Sequence, residues 1–338
     1  MPFTQEQRNK AAPFALYVGA AEALLAQAEQ ADRVPPPLDG TTLEVCWETL
    51  WQFRADDDLD WVQDLRNIFG LGQNIFFYGL LLRCTDPLPD IGYQKGDLLA
   101  VIRGTGTTEE WVLNFCAFLK NGTTSTQHPA GLVHEGFYSI YESMCAWDLT
   151  GKNVGHAAPA LASLLSANGP KLTIAGHSLG SAISSYLVYD VASVVRAADG
   201  ADTAARLGKL DCYMFASPNP GDDDYAKGLK AAVPSYTVID WTKDIVPKVP
   251  PLPYVPLLDG GAGQTAQNFV MLTPAMVEWQ PVDNPGCNHS LASYARMLNP
   301  LNPVAQAETV QNGCDPIPPL PAAPIPPPAV PAAGQPPE

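Results

Sequence analysis

The sequence predicts an α/β protein with a mostly parallel central sheet and helices on both of its faces. Apolar, strand-like runs alternate with helix-like segments from about residue 75 to residue 239, which is the pattern of a largely parallel sheet. Within this series, the apolar run 171–175 leads directly into Gly-X-Ser-X-Gly at 176–180, and a helix-like segment follows. A strand, a pinched turn and a helix in this order predict a nucleophile elbow that exposes Ser178. The alternative for the motif alone is an ordinary Gly-Ser turn.

The predicted elements follow one another along the chain. Segments 5–32, 41–70, 135–147, 157–166 and 222–232 are predicted to be helical, as is the stretch from the elbow to about residue 196, whereas 75–84, 98–102, 171–175, 210–215 and 235–239 are predicted strands. In parallel sheets, ligands bind beyond the carboxyl ends of the strands. Ser178, Thr105 and Asp244 each come just after a predicted strand, so we expect them at one edge of the sheet.

The charge balance excludes some classes of partner. The 338 residues include 35 acids and 19 bases, for a formal net charge of −16, which repels nucleic acid and anionic membranes and favours a neutral substrate. No run approaches 18 apolar residues, so no transmembrane segment is predicted. The first ten residues lack the pattern of a secretory signal. For the chain as given the expected compartment is the cytoplasm, or the exterior if a signal has been removed.

Seven cysteines show no Cys-X-X-Cys pair and no metal-like spacing. Several lie in apolar contexts, which predicts small buried side chains, with one or two disulfides as the alternative. From Pro316 onwards, eleven of 23 residues are proline, so this end is predicted to be an extended tail without a core of its own.

A reactive serine needs a base, and the base needs a carboxylate to orient it. In the elbow architecture these follow the serine in the order acid, then histidine. Of the five histidines, three precede the elbow, and His177 adjoins the serine, where neighbouring side chains diverge. His289 is therefore the predicted base, and the alternative is a surface loop residue.

The acid has more than one candidate. Asp240 ends a predicted strand and Asp244 follows it in a loop. A loop position suits a residue that must reach a distant histidine, so position favours Asp244 without excluding Asp240. The acids at 222–224 are expected to begin a helix, where negative charge is favourable.

Attack on an ester creates an oxyanion that needs preorganised hydrogen-bond donors. One predicted donor is the backbone N–H of Leu179, the residue after the serine. The second is Thr105, in the glycine-rich loop 103–106, for which the alternative is an ordinary glycine turn.

Segment 107–119 predicts a short amphipathic helix. Thr107 and Glu110 form a capping-box pattern, and Trp111 and Phe115 share one helical face. Glycine-containing loops flank the segment, so it is predicted to move as a lid that covers an apolar groove. The alternative is a surface helix that packs Trp111 into the core.

Taken together, these motifs resemble the class 3 lipases, the filamentous-fungal triacylglycerol lipase group with the α/β-hydrolase fold. The likeness rests on segments 101–105, 133–137, 173–180, 215–218, 244–247 and 289–291, which occur in the family's order. The resemblance implies Ser178 as nucleophile, Asp244 rather than Asp240 as acid, and His289 as base. It also implies Thr105 and Leu179 as oxyanion donors.

Three regions are predicted along the chain: an N-terminal helical extension at 1–40, a catalytic domain at 41–313 and a flexible proline-rich tail at 314–338. The resemblance covers the catalytic domain, and residues 1–40 and the tail lie outside it. The expected activity is hydrolysis of acylglycerol esters through an acyl-enzyme, at an oil–water interface and without a metal ion or organic cofactor. A soluble carboxylesterase or feruloyl-type esterase on the same fold is the main alternative, and a non-catalytic interaction module is a remote one. Fungal members are normally secreted and disulfide-bonded.

Overall fold

The chain is organised around a nine-stranded mixed sheet. The computed structural model describes residues 3–30, 38, 41, 43–55, 76–104, 124–198, 200–257 and 269–316. The strands are β1 (Trp47–Ala55), β2 (Phe76–Cys84), β3 (Leu98–Ile102), β4 (Ser125–His128), β5 (Gly131–His134), β6 (Cys145–Asp148), β7 (Asn153–His156), β8 (Leu172–His177), β9 (Leu210–Phe215), β10 (Thr237–Trp241) and β11 (Phe269–Leu272).

The helices that pack on this sheet are α1 (Gln5–Gln30), α2 (Glu135–Ser143), α3 (Ala157–Leu164), α4 (Leu179–Ala197), α5 (Thr203–Leu207), α6 (Asp223–Ala232), α7 (Pro285–His289), α8 (Leu291–Leu298) and α9 (Pro303–Gln311). The sheet order is β11-β10-β9-β8-β3-β2-β1-β6-β7, and β4 and β5 form a separate hairpin. β3, β8, β9, β10 and β11 are mutually parallel. The elbow strand β8 lies between β3 and β9, inside this parallel half.

Two hydrophobic cores lie on opposite faces of the sheet, as the alternation of residues along β3 shows. Ala100 and Ile102 belong to the core beneath α2, α3, α4 and α6, whereas Leu99 and Val101 belong to the core beneath α1 and α8. Successive side chains of a strand point to opposite faces, so an entirely apolar strand buried on both sides is what this packing requires. The predicted α/β-hydrolase fold, with parallel central strands and helices on both faces, is confirmed.

Helix α1 is an integral part of the second core. It packs against α8 and against β2, β3 and β8. Phe14 is fully buried and stacks on Tyr213 with ring centroids 4.5 Å apart. The segment 1–40 that the sequence set apart as an extension therefore contributes, through α1, to the packing of the sheet.

Two predicted helices are wrong in whole or in part. Trp47–Ala55 is a strand rather than part of a helix over 41–70, because it pairs antiparallel with β2 on one side and β6 on the other. Residues 43–46, also in that predicted helix, form turns, and residues 56–70 lie outside the described residues. Helix α2 ends at Ser143, and Cys145–Asp148 is extended because it pairs with Trp51–Arg54 of β1.

The cysteines divide into two groups. Cys287 and Cys314 are both buried, and they form a disulfide, which is the alternative to free buried thiols. Cys46, Cys84, Cys145 and Cys212 are free thiols, and Cys116 lies outside the described residues. The disulfide joins α7, which ends at His289, to the turn after α9.

Replacing both disulfide cysteines with serine is expected to lower the free energy of unfolding by roughly 3–4 kcal/mol, because the bond closes a long loop in the unfolded chain. The sequence separation of 27 residues sets this expectation. Urea unfolding followed by circular dichroism measures the change. Cys145→Ser is the control, since Cys145 is a half-buried free thiol. A double variant as stable as the control would contradict the prediction.

Candidate active site

Ser178 lies in a strained turn between β8 and α4. Its backbone has φ 54° and ψ −127°, a conformation that residues with a Cβ rarely adopt. A Cβ on Gly176 would lie 2.4 Å from the carbonyl oxygen of Gly180, and one on Gly180 would lie 2.3 Å from that of Ile102. Both glycines are therefore needed for the close approach of strand, turn and helix, as a nucleophile elbow requires.

Asp244 and His289 form a fully buried pair. His289 Nδ1 lies 2.8 Å from Asp244 Oδ2, and neither side chain is exposed to solvent. Asp244 also accepts hydrogen bonds from the Tyr294 hydroxyl at 2.9 Å and the Val246 N–H at 3.0 Å. A carboxylate at Nδ1 fixes the imidazole in the tautomer with the proton on Nδ1, which leaves Nε2 as the acceptor that a base needs.

The loop of His289 runs beside the elbow. His177, which precedes the serine, donates from Nε2 to the His289 carbonyl oxygen at 2.9 Å, and the two imidazole rings are 4.6 Å apart. Among the described residues, neither Ser178 Oγ nor His289 Nε2 has a hydrogen-bond partner, although both are buried. Catalytic hydrogen bonds often tighten only when substrate binds, so the two atoms remain candidates for nucleophile and base.

Burial lowers the pKa of His289, and the positive charge of His177 adds to this effect. The Asp244 carboxylate acts in the opposite direction, but the net direction is downward. The imidazole is therefore neutral at neutral pH, which is the protonation state of a general base.

Asp240, the alternative acid, occupies a different place. Its Oδ1 accepts from the Ser217 N–H at 3.1 Å. Burial and the nearby charge of Asp244 raise its pKa well above the usual range, which favours the neutral acid. The structure thus brings Asp244 to His289, while Asp240 contacts the loop after β9. Asp222, from the other acidic cluster, caps α6 by accepting from the Tyr225 N–H.

The predicted oxyanion donors are only partly described. The N–H of Leu179 is the first of α4, a position that has no acceptor within its own helix. The loop after β3 passes close to the serine, since a Cβ on Gly104 would lie 3.1 Å from the Ser178 Cβ. Thr105 itself, and the lid residues Trp111 and Phe115, lie outside the described residues. Their roles stay predictions.

Three further residues surround the site that the sequence did not single out for it. Tyr294 lies in α8, shortly after His289 in the sequence, and its hydroxyl donates to Asp244. Glu22 bonds both Gly104 and His177, but 155 residues separate it from His177, and no local pattern points to it. His177 is not the predicted base, because its side chain is expected to diverge from that of the serine. It nevertheless contacts the His289 loop through a hydrogen bond to the His289 carbonyl oxygen.

In the part of the chain that the structure describes, no group of three or more His, Cys, Asp or Glu side chains is arranged to hold a metal ion. Within the same residues, none of the helices has the length and apolar character needed to cross a bilayer.

One family model and several known proteins are similar to parts of this chain. Residues 99–254 match the family described as "Lipase (class 3)". Phospholipase A1-Ialpha2, chloroplastic, of Arabidopsis thaliana is 26% identical over 225 residues, covering 61% of this chain and 44% of the relative. Phospholipase A1-II 7 of Oryza sativa subsp. indica is 26% identical over 200 residues, covering 54% of this chain and 48% of the relative. The chain thus spans less than half the length of these curated relatives.

Among solved structures, a lipase from Rhizopus microsporus var. chinensis shares 24% sequence identity with a TM-score of 0.35. That match covers 51% of this chain and 51% of the other.

Replacing Ser178 or His289 with alanine is expected to lower kcat by roughly four to six orders of magnitude, because nucleophile and base act as one unit. For the same reason, the double variant should be little worse than either single one. Steady-state hydrolysis of p-nitrophenyl butyrate measures the effect. If the His289→Ala enzyme kept most of its activity, the base would lie elsewhere.

The pH dependence of kcat/KM is expected to report the lowered pKa of His289. The base works only when neutral, so activity falls as the pH drops through its pKa. The acid limb should therefore have a midpoint below the ordinary histidine value of about 6.5. A soluble ester assayed between acid and neutral pH gives the profile, and a midpoint above that value would contradict the account.

Proposed function

We propose that this chain, whose residues 99–254 match the class 3 lipase family, hydrolyses carboxylic esters of acylglycerols through Ser178, His289 and Asp244. The supporting observation is the buried Asp244–His289 pair next to a serine on a strained elbow. A fully buried aspartate that accepts from Nδ1 has the geometry that orients an imidazole for general-base catalysis.

In the proposed first step, His289 Nε2 removes the hydroxyl proton of Ser178 while Oγ attacks the ester carbonyl carbon. The carbonyl oxygen becomes an oxyanion, which accepts hydrogen bonds from the N–H of Leu179 and from Thr105. The positive N-terminal end of α4 also favours this negative charge. The Asp244 carboxylate stabilises the imidazolium that forms.

In the second step, the His289 imidazolium gives its proton to the leaving alcohol, and the acyl group stays on Ser178. Water then loses a proton to His289 and attacks the acyl-enzyme. The tetrahedral intermediate that forms then collapses and releases the fatty acid, and the His289 imidazolium returns its proton to Ser178 Oγ. Every proton that the imidazole takes up is given back, so the cycle uses water alone as its co-reactant.

The proposed substrate, which donates the acyl group, is a triacylglycerol at an oil–water interface, with the segment around 107–119 as the lid. The sequence spacing of Trp111 and Phe115, which predicts that they share one helical face, supports this proposal. Phospholipase A1 activity is the second candidate, because the curated relatives carry that name. Both substrates present a carboxylic ester of glycerol to the same serine and differ in the group that leaves.

A substrate panel separates these possibilities. We expect release of fatty acid from tributyrin and triolein, with a rate that rises steeply above the solubility limit of tributyrin as the lid opens. Phosphatidylcholine vesicles test for release of the sn-1 fatty acid, and methyl ferulate tests the feruloyl alternative. The Ser178→Ala variant is the control for each substrate.

Activity on soluble esters alone, with no rise at the interface, would contradict the lipase proposal and support a soluble carboxylesterase. Preferred release from phosphatidylcholine would support the phospholipase candidate. A Ser178→Ala variant as active as the parent would contradict the proposed chemistry altogether.

A further inference from the structure

Glu22 of α1 connects two parts of the active site that are far apart in sequence. Its Oε1 atom accepts from the Gly104 N–H at 2.6 Å and lies 3.0 Å from His177 Nδ1. Building on the proposed function, we propose that Glu22 is a positioning residue for ester hydrolysis, which holds the oxyanion loop and the loop of the base in register. It acts through its neighbours and does not touch the substrate.

The hydrogen bonds of His177 determine where its protons are. The His289 carbonyl oxygen can only accept, so His177 Nε2 carries a proton. His177 Nδ1 faces a carboxylate oxygen that already accepts from Gly104. An imidazolium at His177 paired with an ionised Glu22 satisfies all three contacts.

The pKa directions of the two groups agree with this arrangement. Burial lowers the pKa of His177, but the Glu22 charge and hydrogen bond outweigh it, and the net direction is upward. Burial raises the pKa of Glu22, but the charge and hydrogen bonds of His177 and Gly104 reverse it. Each group therefore keeps the other ionised inside the protein.

The contacts of this ion pair lead to both sides of the reacting centre. Gly104 directly precedes Thr105, the predicted oxyanion donor. The hydrogen bond from the Gly104 N–H to Glu22 therefore fixes the backbone immediately before Thr105. His177 holds the backbone of His289 by its carbonyl, and its ring lies 4.6 Å from the ring of the base. One carboxylate thus restrains the donor loop and the base together.

A purely structural role explains Glu22 poorly. The rest of the inner face of α1 is apolar, with Phe14, Val18 and Leu25 fully buried. A buried ion pair adds little to stability compared with apolar residues of similar volume. Only 17% of the Glu22 side chain is exposed, and it borders a cavity of about 390 Å³ that is also lined by Gly104 and Ser290. The Glu22 carboxylate accepts a hydrogen bond from the Gly104 N–H and so orients it, which an apolar side chain cannot do.

Replacing Glu22 with glutamine keeps the shape and removes the charge, so His177 loses the partner that keeps it protonated. The charged groups that shift the pKa of His289 are Asp244, His177 and Glu22. The His177 cation lowers the pKa of His289 more than the Glu22 anion raises it. Loss of both charges therefore raises the pKa of His289. The acid limb of kcat/KM should move to higher pH.

The experiment compares Glu22→Gln with Glu6→Gln, an exposed glutamate in the first turn of the same helix. We expect kcat per active site, titrated with a phosphonate, to fall about tenfold to a hundredfold in Glu22→Gln, as small displacements of catalytic groups do. KM for p-nitrophenyl butyrate should change far less, and the acid limb should shift upward. The control should match the parent in all three.

His177→Gln provides a second variant if Glu22→Gln fails to fold. It removes the same cation, so its acid limb should also move to higher pH. In the double variant, the second substitution should add little to the loss in kcat, because the two residues act as one unit.

Parental kcat and an unmoved acid limb in Glu22→Gln would overturn the inference. The inference would also be overturned if the activity difference between Glu22→Gln and the parent disappears when rates are expressed per titrated active site, because the variant would then only contain less folded protein. Ser178→Ala separates the two levels of the account. If the Ser178→Ala enzyme is active, the proposed function is contradicted. If Ser178→Ala is inactive but Glu22→Gln behaves like the parent, only the role of Glu22 is contradicted.

Discussion

The backbone conformation of Ser178 is the constraint on which the site depends. A non-glycine residue at φ 54° costs on the order of 1–3 kcal/mol and persists only where its surroundings determine it. Those surroundings are the parallel pairing of β8 with β3 and β9 and the absence of a Cβ at Gly176 and Gly180. From this turn follow the start of α4, the position of the Leu179 N–H and the proximity of Gly104 to the serine.

Three buried titratable groups and the partly buried Glu22 surround this turn in an order that limits the cost of burying charge. The Asp244 carboxylate faces His289, whose ring lies beside the His177 ring, and His177 in turn faces Glu22. Each carboxylate is paired with an imidazole, so no charge is buried alone. Glu22 lies in α1, and His289 is the last residue of α7, just before α8. The site therefore requires α1 to pack against the C-terminal helices, as α1 does against α8.

The sequence predicted well what local pattern determines. The strand at 98–102 and the elbow at 176–180 need only neighbouring residues to be recognised, whereas Asp244 is singled out from Asp240 only by the family resemblance. Trp47–Ala55 is a strand and not the predicted helix, because its pairing with β2 and β6 comes from tertiary contacts that local propensity does not reflect. Glu22 escaped for a similar reason, since its partners lie 82 and 155 residues further along the chain.

The central claim is that Ser178 is the nucleophile and that His289 activates it. A fluorophosphonate forms a stable adduct with an activated serine, so mass spectrometry of the labelled, digested protein tests the claim directly. The account predicts one adduct, on the peptide that contains Ser178, and its loss or strong slowing in His289→Ala. An adduct on a different residue, or equal labelling of Ser178 without His289, would contradict it.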